Sequence, residues 1–322
     1  MRIKLIERII SVIVILVMTA CSSQNAQMSS GIDVGLTLVT GITGNQGGGV
    51  AGALLEEGYA VRGMTRNPDS EASQHWSDLG AEMVYGDFTD QASIDAALEG
   101  VDYLFINLQE QIPDYINATK YLLDAANAAG VRHILYSSNR RSEPELPQSA
   151  SKTEVELYLR ESGYSYTTLR IPQMMSNFVR ERDMANVLRN GIVGRGSEQA
   201  TFAYFSPDDL GPIAVAAIED TESWNGREIN LAGDELTDRE LASLLGEISG
   251  LNIEYASPEQ QEARWLANQG LSYDTEQLRA EFPSMKTLRE YLITNNYGEK
   301  LKSMSMQPLP PEQSGRGGPP PR

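Results

Sequence analysis

Leu36–Pro68 reads LTLVTGITGNQGGGVAGALLEEGYAVRGMTRNP, and this stretch decides the fold. Leu36–Thr40 is a short apolar run with β-branched residues, as a buried parallel strand requires. Gly41, Gly44 and Gly47 follow at GxxGxxG spacing. A turn this tight needs a residue that tolerates positive φ. The middle glycine lets backbone approach a phosphate, and the third lets the following helix pack on the strand. A helix from about Gln46 to Glu57 then aims its N-terminal amides at an anion. A second strand over Ala60–Thr65 completes the unit, which is built to hold the diphosphate of a dinucleotide. The turn offers Gly41, Thr43, Gly44, Asn45, Gln46 and Gly47 as its contacts.

The end of that second strand bears on the choice of dinucleotide. An NAD site places Asp or Glu there for the ribose 2′-hydroxyl, but this chain has Thr65-Arg66, with Arg62 on the same strand. A guanidinium suits a 2′-phosphate through charge-assisted contacts. The expectation is therefore NADP(H) held by Arg66, with Asp69 nearby leaving NAD open.

Strands and helices go on alternating, which argues a parallel sheet wound on both faces. Further strands are expected at 82–85, 102–107, 133–137 and 166–170. Helices are expected at 71–79, 91–99, 115–129 and 151–162. Right-handed crossovers place a nucleotide across the carboxyl edge of such a sheet. From about Pro172 the elements shorten. A strand is expected at 226–233, a helix at 238–249 with a Thr237/Glu240 capping box, and a strand at 253–256. The fold class is α/β, with a Rossmann-like sheet over 34–171 and a smaller C-terminal α/β lobe over 172–300, interleaved with that sheet.

These motifs carry a resemblance. GITGNQGGGVAGALLEEGYAVRGMTRNP, Gly86-Asp87-Phe88, HILYSSN (133–139), SKTEVELYLRESGYSYTTLRIPQMMSNF (151–178) and DDLGPIAVAAIED (208–220) resemble the NmrA-like group of atypical short-chain dehydrogenase/reductases. The likeness runs from about Leu36 to Leu292. It implies that Asp87 lies beside the adenine with Phe88 stacking near it; a strand-ending Asp that caps a turn is the equal alternative. It implies that Asn107 lies near a ribose and that Ser137 and Ser138 lie under the nicotinamide. Lys152 becomes a ribose contact, against the plainer reading of an exposed helix charge. In the family pattern RPxxYMENF, Arg170, Met175 and Asn177 match, and Asn177 joins the cofactor set.

The departures matter for chemistry. Ordinary members of the superfamily use Tyr and Lys four residues apart, on one helix face, so that the phenol can donate a proton. None of Lys4, Lys120, Lys152, Lys286, Lys300 and Lys302 has a Tyr four residues before it, and Gln148 stands where that Tyr belongs. Met174 fills the family's second Tyr slot, and Ile171 its proline slot. No catalytic residue is assigned. Two functions stand open: NAD(P)H-dependent reduction of a quinone or similar acceptor, where the cofactor carries the chemistry, and a non-catalytic redox sensor or scaffold that binds another protein.

The ends are separate modules. Arg2, Lys4 and Arg8 precede an apolar stretch from Ile9 to Ala20. That is too short for a hydrocarbon core of about 30 Å and right for a signal peptide over 1–20. Met18-Thr19-Ala20-Cys21 resembles a bacterial lipobox, with Cys21 the sole cysteine and the lipidation site. Ser22 then favours the outer membrane, with the protein facing the periplasm. The protein would be cytoplasmic if translation starts at Met28. Residues 21–33 read as a flexible tether, and 301–322, rich in Pro and Gly, as a disordered tail.

The charge of −18 argues against nucleic acid as a partner, where a basic face is needed. His75 and His133 are isolated, so no metal site is expected. The expected partners are a dinucleotide, an unidentified acceptor or protein, and a membrane met through the lipid anchor alone.

Overall fold

The computed structural model describes residues 35–109, 111–139, 150–193, 199–256, 273 and 275–310. The signal-like segment, Cys21, the tether, Gln148 and residues 311–322 lie outside them.

The first half alternates without a break. β1 (Leu36–Thr40), α1 (Asn45–Glu56), β2 (Ala60–Thr65), α2 (Glu71–Asp78), β3 (Glu82–Tyr85), α3 (Gln91–Ala97), β4 (Tyr103–Ile106), α4 (Tyr115–Ala128), β5 (His133–Asn139), α5 (Ala150–Ser162) and β6 (Tyr166–Ile171) follow in turn. The first three strands fall as the sequence predicts, while β5 runs two residues further, to Asn139. β10 (Arg227–Asn230) joins β6 in parallel and closes a seven-stranded sheet of order β10-β6-β5-β4-β1-β2-β3. The chain starts at β1, works outward to β3, then returns to β4 on the other side. The strand order reverses between β1 and β4, where the two crossovers diverge and leave a crevice at the carboxyl edge.

β4 is buried along its whole length, and so is β6. This explains why their sequences, YLFI and YTTLRI, show no polar alternation. On one face Leu38, Leu104 and Ile106 pack with Ile94, Leu98, Leu122, Val155 and Leu159 from α3, α4 and α5. On the other, α1 crosses α7 (Leu210–Glu219) at close range: a Cβ on Gly211 would lie 2.4 Å from the Ala53 Cβ and 2.6 Å from the Gly49 carbonyl oxygen.

The remaining elements form a second core. β7 (Gln173–Met174) leads through a 3₁₀ turn at Met175–Asn177 into α6 (Glu181–Asn190) and β8 (Ile192–Val193). β9 (Thr201–Phe205) pairs with β7 and with β11 (Asp234–Thr237), and β8 pairs with β12 (Tyr255–Ala256). α8 (Thr221–Trp224), α9 (Asp238–Ser249), α10 (Thr275–Glu281), α11 (Leu288–Thr294) and α12 (Tyr297–Ser305) complete the described chain. α9 carries the Thr237/Glu240 capping box. Met175, Tyr204, Leu245, Leu292 and Leu301 are fully buried in this second cluster. Ordered chain therefore continues past residue 301, where the sequence suggests that the tail begins. α12 runs to Ser305, and the Arg189 guanidinium donates to the carbonyl of Pro310.

Candidate functional site

The glycine turn is a backbone cradle. Gly41 has φ +67°, which a side chain rarely adopts, and an added Cβ there would meet the Asn107 carbonyl at 3.1 Å. A Cβ on Gly47 would lie 2.3 Å from the Gly41 oxygen, so this position admits glycine alone. α1 begins at Gly44 with no side-chain cap. Its first amides are left to solvent or to an anion, and Thr43, Gly44 and Asn45 are all exposed around them. These features fit the diphosphate of a dinucleotide.

Side chains stitch the cradle to neighbouring strand ends. The Asn107 amide donates to Thr40 Oγ1 at 2.8 Å, fixing the end of β4 to the end of β1. Ser137 Oγ donates to Gln46 Oε1 at 2.6 Å, tying β5 to the first turn of α1. Asn45 Nδ2 donates to Ser176 Oγ at 3.0 Å, tying that turn to the 3₁₀ segment that carries Asn177. Asn45, Gln46, Asn107 and Asn177 are thus brought to one sheet edge by direct or adjacent contacts.

The two arginines of β2 differ sharply. Arg62 donates to Glu82 and to the carbonyls of Ala97 and Glu99, so it is committed to the fold. Arg66 is exposed and makes no hydrogen bond or ion pair among the described residues. Asp87 Oδ1 accepts from the Thr89 amide at 2.8 Å and the Thr89 hydroxyl at 2.7 Å. These bonds, with the charge of Arg66, hold its carboxyl below the usual carboxylate range. Turn capping therefore occupies one oxygen of Asp87. Phe88 is half-buried beside it, against the main core.

Lys152 is 6% exposed, not the solvated helix charge of the plainer reading. Its Nζ donates to the Ser137 carbonyl at 3.1 Å. One turn along α5, Glu156 is 3% exposed and accepts from Ser138 Oγ at 2.5 Å. Arg170 on β6 clasps Glu156, with its shortest contact at 2.7 Å, and also bonds Glu228 on β10. Arg160 holds Glu228 from outside at 2.7–2.9 Å. This chain of alternating charges fixes α5 and the ends of β5 and β6 relative to one another. Sequence reasoning names Ser138 and Arg170 for other reasons and misses the network. Its only signal is the cluster of Glu156, Arg160 and Arg170 inside one quoted motif.

No phenol stands at this edge among the groups the sequence singles out. Tyr136 is fully buried, and its hydroxyl pairs with that of Tyr115 at 2.9 Å inside the core. Met174 is half-buried in β7 and carries no exchangeable proton. His133 starts β5 at the opposite edge, between the hydroxyls of Ser165 and Thr167, and burial pushes its pKa down to about 4. Beside Asn177 a cleft of about 370 Å³ opens between Gln173, the inner face of α6 and the start of α9. Among the described residues no group of three His, Cys, Asp or Glu is placed to hold a metal.

Comparison with known proteins agrees with this architecture. The chain is 33% identical over 226 residues to a (4-alkanoyl-5-oxo-2,5-dihydrofuran-3-yl)methyl phosphate reductase of Streptomyces griseus, covering 68% of this chain and 76% of that one. It is 31% identical over 245 residues to an NmrA-like family domain-containing oxidoreductase of Aspergillus hancockii, covering 67% and 72%. A solved NADPH-dependent quinone oxidoreductase of Escherichia coli superposes with a TM-score of 0.64 at 25% identity, covering 81% of this chain and 99% of that one. The sequence pattern of the NmrA-like family matches residues 35–304, and the chain belongs to that family.

Proposed function

We propose that this protein binds a nicotinamide dinucleotide across the carboxyl edge of the sheet and uses it to reduce a quinone or similar acceptor. The observation that carries the reading is the uncapped start of α1 behind a turn that only glycine can make at Gly41 and Gly47. Thr43, Gly44, Asn45 and Gln46 would hold the diphosphate, Asn107 and Lys152 the riboses, Asp87 and Phe88 the adenine end, and Asn177 the nicotinamide end. Arg66, exposed and unpartnered among the described residues at the end of β2, favours the 2′-phosphate of NADP(H). A relative named as an NADPH-dependent quinone oxidoreductase supports the same direction. When bound, NADPH supplies a hydride. The residues of this chain bind and orient it, and the network around Glu156 keeps Lys152 and Ser137 in place.

The test is NADPH oxidation followed with a panel of quinones. Steady oxidation by wild type, abolished in Gly44→Val, supports reduction. A valine side chain there would crowd the turn, where even a Cβ would sit 3.3 Å from the Gly41 oxygen, and would cover the exposed start of α1 that the diphosphate would meet. No oxidation with any acceptor, despite tight cofactor binding, would favour a second reading: a non-catalytic redox sensor. Met174 at the family's Tyr slot is the observation on its side.

We also propose that Cys21 anchors the exported protein to a membrane, on the strength of the Met18–Cys21 motif. Cys21→Ser should then accumulate as an unprocessed precursor. A variant that fractionates and migrates like wild type would exclude the anchor.

A further inference from the structure

The cleft beside Asn177 bears on which acceptor the protein would take, an inference that rests on the reductase reading. β6 ends one register step beyond Ser138 and Arg170, and the chain passes from there through Gln173 to Asn177. The cleft therefore opens on the segment that follows β6, beside Asn177, whose neighbour Ser176 accepts a hydrogen bond from Asn45 at the start of α1. Its volume, about 370 Å³, suits a small molecule.

The lining is poor in aromatic surface. Among the described residues its only aromatic side chain is Phe178, which is 7% exposed with its ring tilted on Tyr204 at a centroid distance of 5.7 Å. That ring is used by the core and offers no platform for a flat, uncharged quinone. Carboxamides take its place: Asn177, Asn186 and Asn190 all face the cleft. Two guanidinium groups stand at the start of α6. Among the described residues Arg182 is held only by its sequence neighbour Asp183, at 3.3 Å. Arg180 is exposed and has no side-chain hydrogen bond or ion pair among the described residues. The acidic groups are accounted for differently. Asp238 is 5% exposed and already partnered. Asp183 gives one oxygen to Arg182, and its other oxygen is buried without a hydrogen bond. A buried acceptor of this kind calls for a donor, from ordered water or from a ligand. The unmatched groups are thus one cation, one acceptor and a set of amides.

We propose that the cleft takes a polar acceptor carrying an anionic group, with Arg180 meeting the anion, in preference to a bare aromatic quinone. Guanidinium contacts to oxyanions are among the stronger polar contacts available to a protein.

The experiment compares 1,4-naphthoquinone-2-sulfonate with 1,4-naphthoquinone as acceptors for NADPH oxidation by the full chain. The quantity read is the ratio of their kcat/KM values in wild type divided by the same ratio in Arg180→Ala, which cancels the intrinsic reactivity of the two quinones. The expected result is a fall of roughly 10-fold in the sulfonate preference, largely restored in Arg180→Lys. An unchanged ratio overturns the proposal while leaving the reductase reading standing. If no acceptor is reduced at all, the reductase reading fails separately, and calorimetry with the sulfonate decides the cleft. Binding that weakens in Arg180→Ala supports the anion site, and absence of binding to wild type overturns it.

Discussion

The glycine turn after β1 and the cleft beside α6 make opposite use of the chain. The turn is built from backbone: a positive φ at Gly41, a contact at Gly47 that excludes any Cβ, and free amides at the start of α1. The cleft is built from side chains on segments far apart in sequence, from Gln173 to Leu241. A backbone site fixes the phosphate geometry and tolerates little change. A side-chain site can be retuned residue by residue.

Perturbations of the frame under the first region should have the largest effects. Glu156→Ala would leave Arg170 buried with only Glu228 as partner. Breaking a buried pair costs about 3–5 kcal/mol, so a large drop in denaturation midpoint is expected. Retention of wild-type stability would show that the network is not what fixes β5 to α5. Gly47→Ala should cost about 3 kcal/mol, the upper range of overpacking, because the new Cβ would collide with the Gly41 carbonyl. Urea titration of that variant measures this directly, and a loss under about 1 kcal/mol, the lower end of that range, would mean that the turn can open.

A third test uses pH. His133 has a folded-state pKa near 4, below its ordinary 6.5. As pH falls below 6.5 the unfolded chain takes up a proton that the folded chain refuses, so stability is lost. The loss from this group between pH 7 and pH 5 is about 2 kcal/mol. Asp209 runs the other way, because burial raises its carboxyl to about 6 from 3.8 and so favours folding as pH falls. The readout is therefore the pH slope of wild type minus that of His133→Asn. Parallel slopes would remove His133 from the account. This change should leave the cleft untouched, since His133 sits at the opposite edge of the sheet.

The legibility of the sequence follows the same division. β1 to β3 are readable to the residue because the glycines at 35, 41, 58, 80 and 86 leave only short runs between the turns and helices. The turn is readable because its constraints are local. Arg62 and Arg66 follow from one short segment and cannot be told apart there, since the partner that commits Arg62, Glu82, lies on the next strand. Lys152 looks solvated beside Glu154 and Glu156, and only the approach of β5 buries it. α6 does carry an apolar stripe at helical spacing, Met184, Val187 and Leu188, which packs on the second core; sequence reasoning passes over it because ERDMANVLRN is otherwise polar. The cleft residues Arg182, Asp183, Asn186 and Asn190 read there only as a solvated helix face, and nothing local says that Gln173 and Leu241 close over them.

We propose above that the carboxyl ends of β1 and β2 and the start of α1 bind NADP(H), with Arg66 choosing it over NAD(H). Calorimetric titration of wild type, Arg62→Ala and Arg66→Ala with NADPH and with NADH tests it most directly. A charge-assisted hydrogen bond is worth about 1.5–3 kcal/mol, so Arg66→Ala should weaken NADPH by roughly 10- to 150-fold and leave NADH nearly unchanged. Arg62→Ala should lower stability without altering the preference. Equal losses for both nucleotides in Arg66→Ala, or a wild type that prefers NADH, would contradict the account.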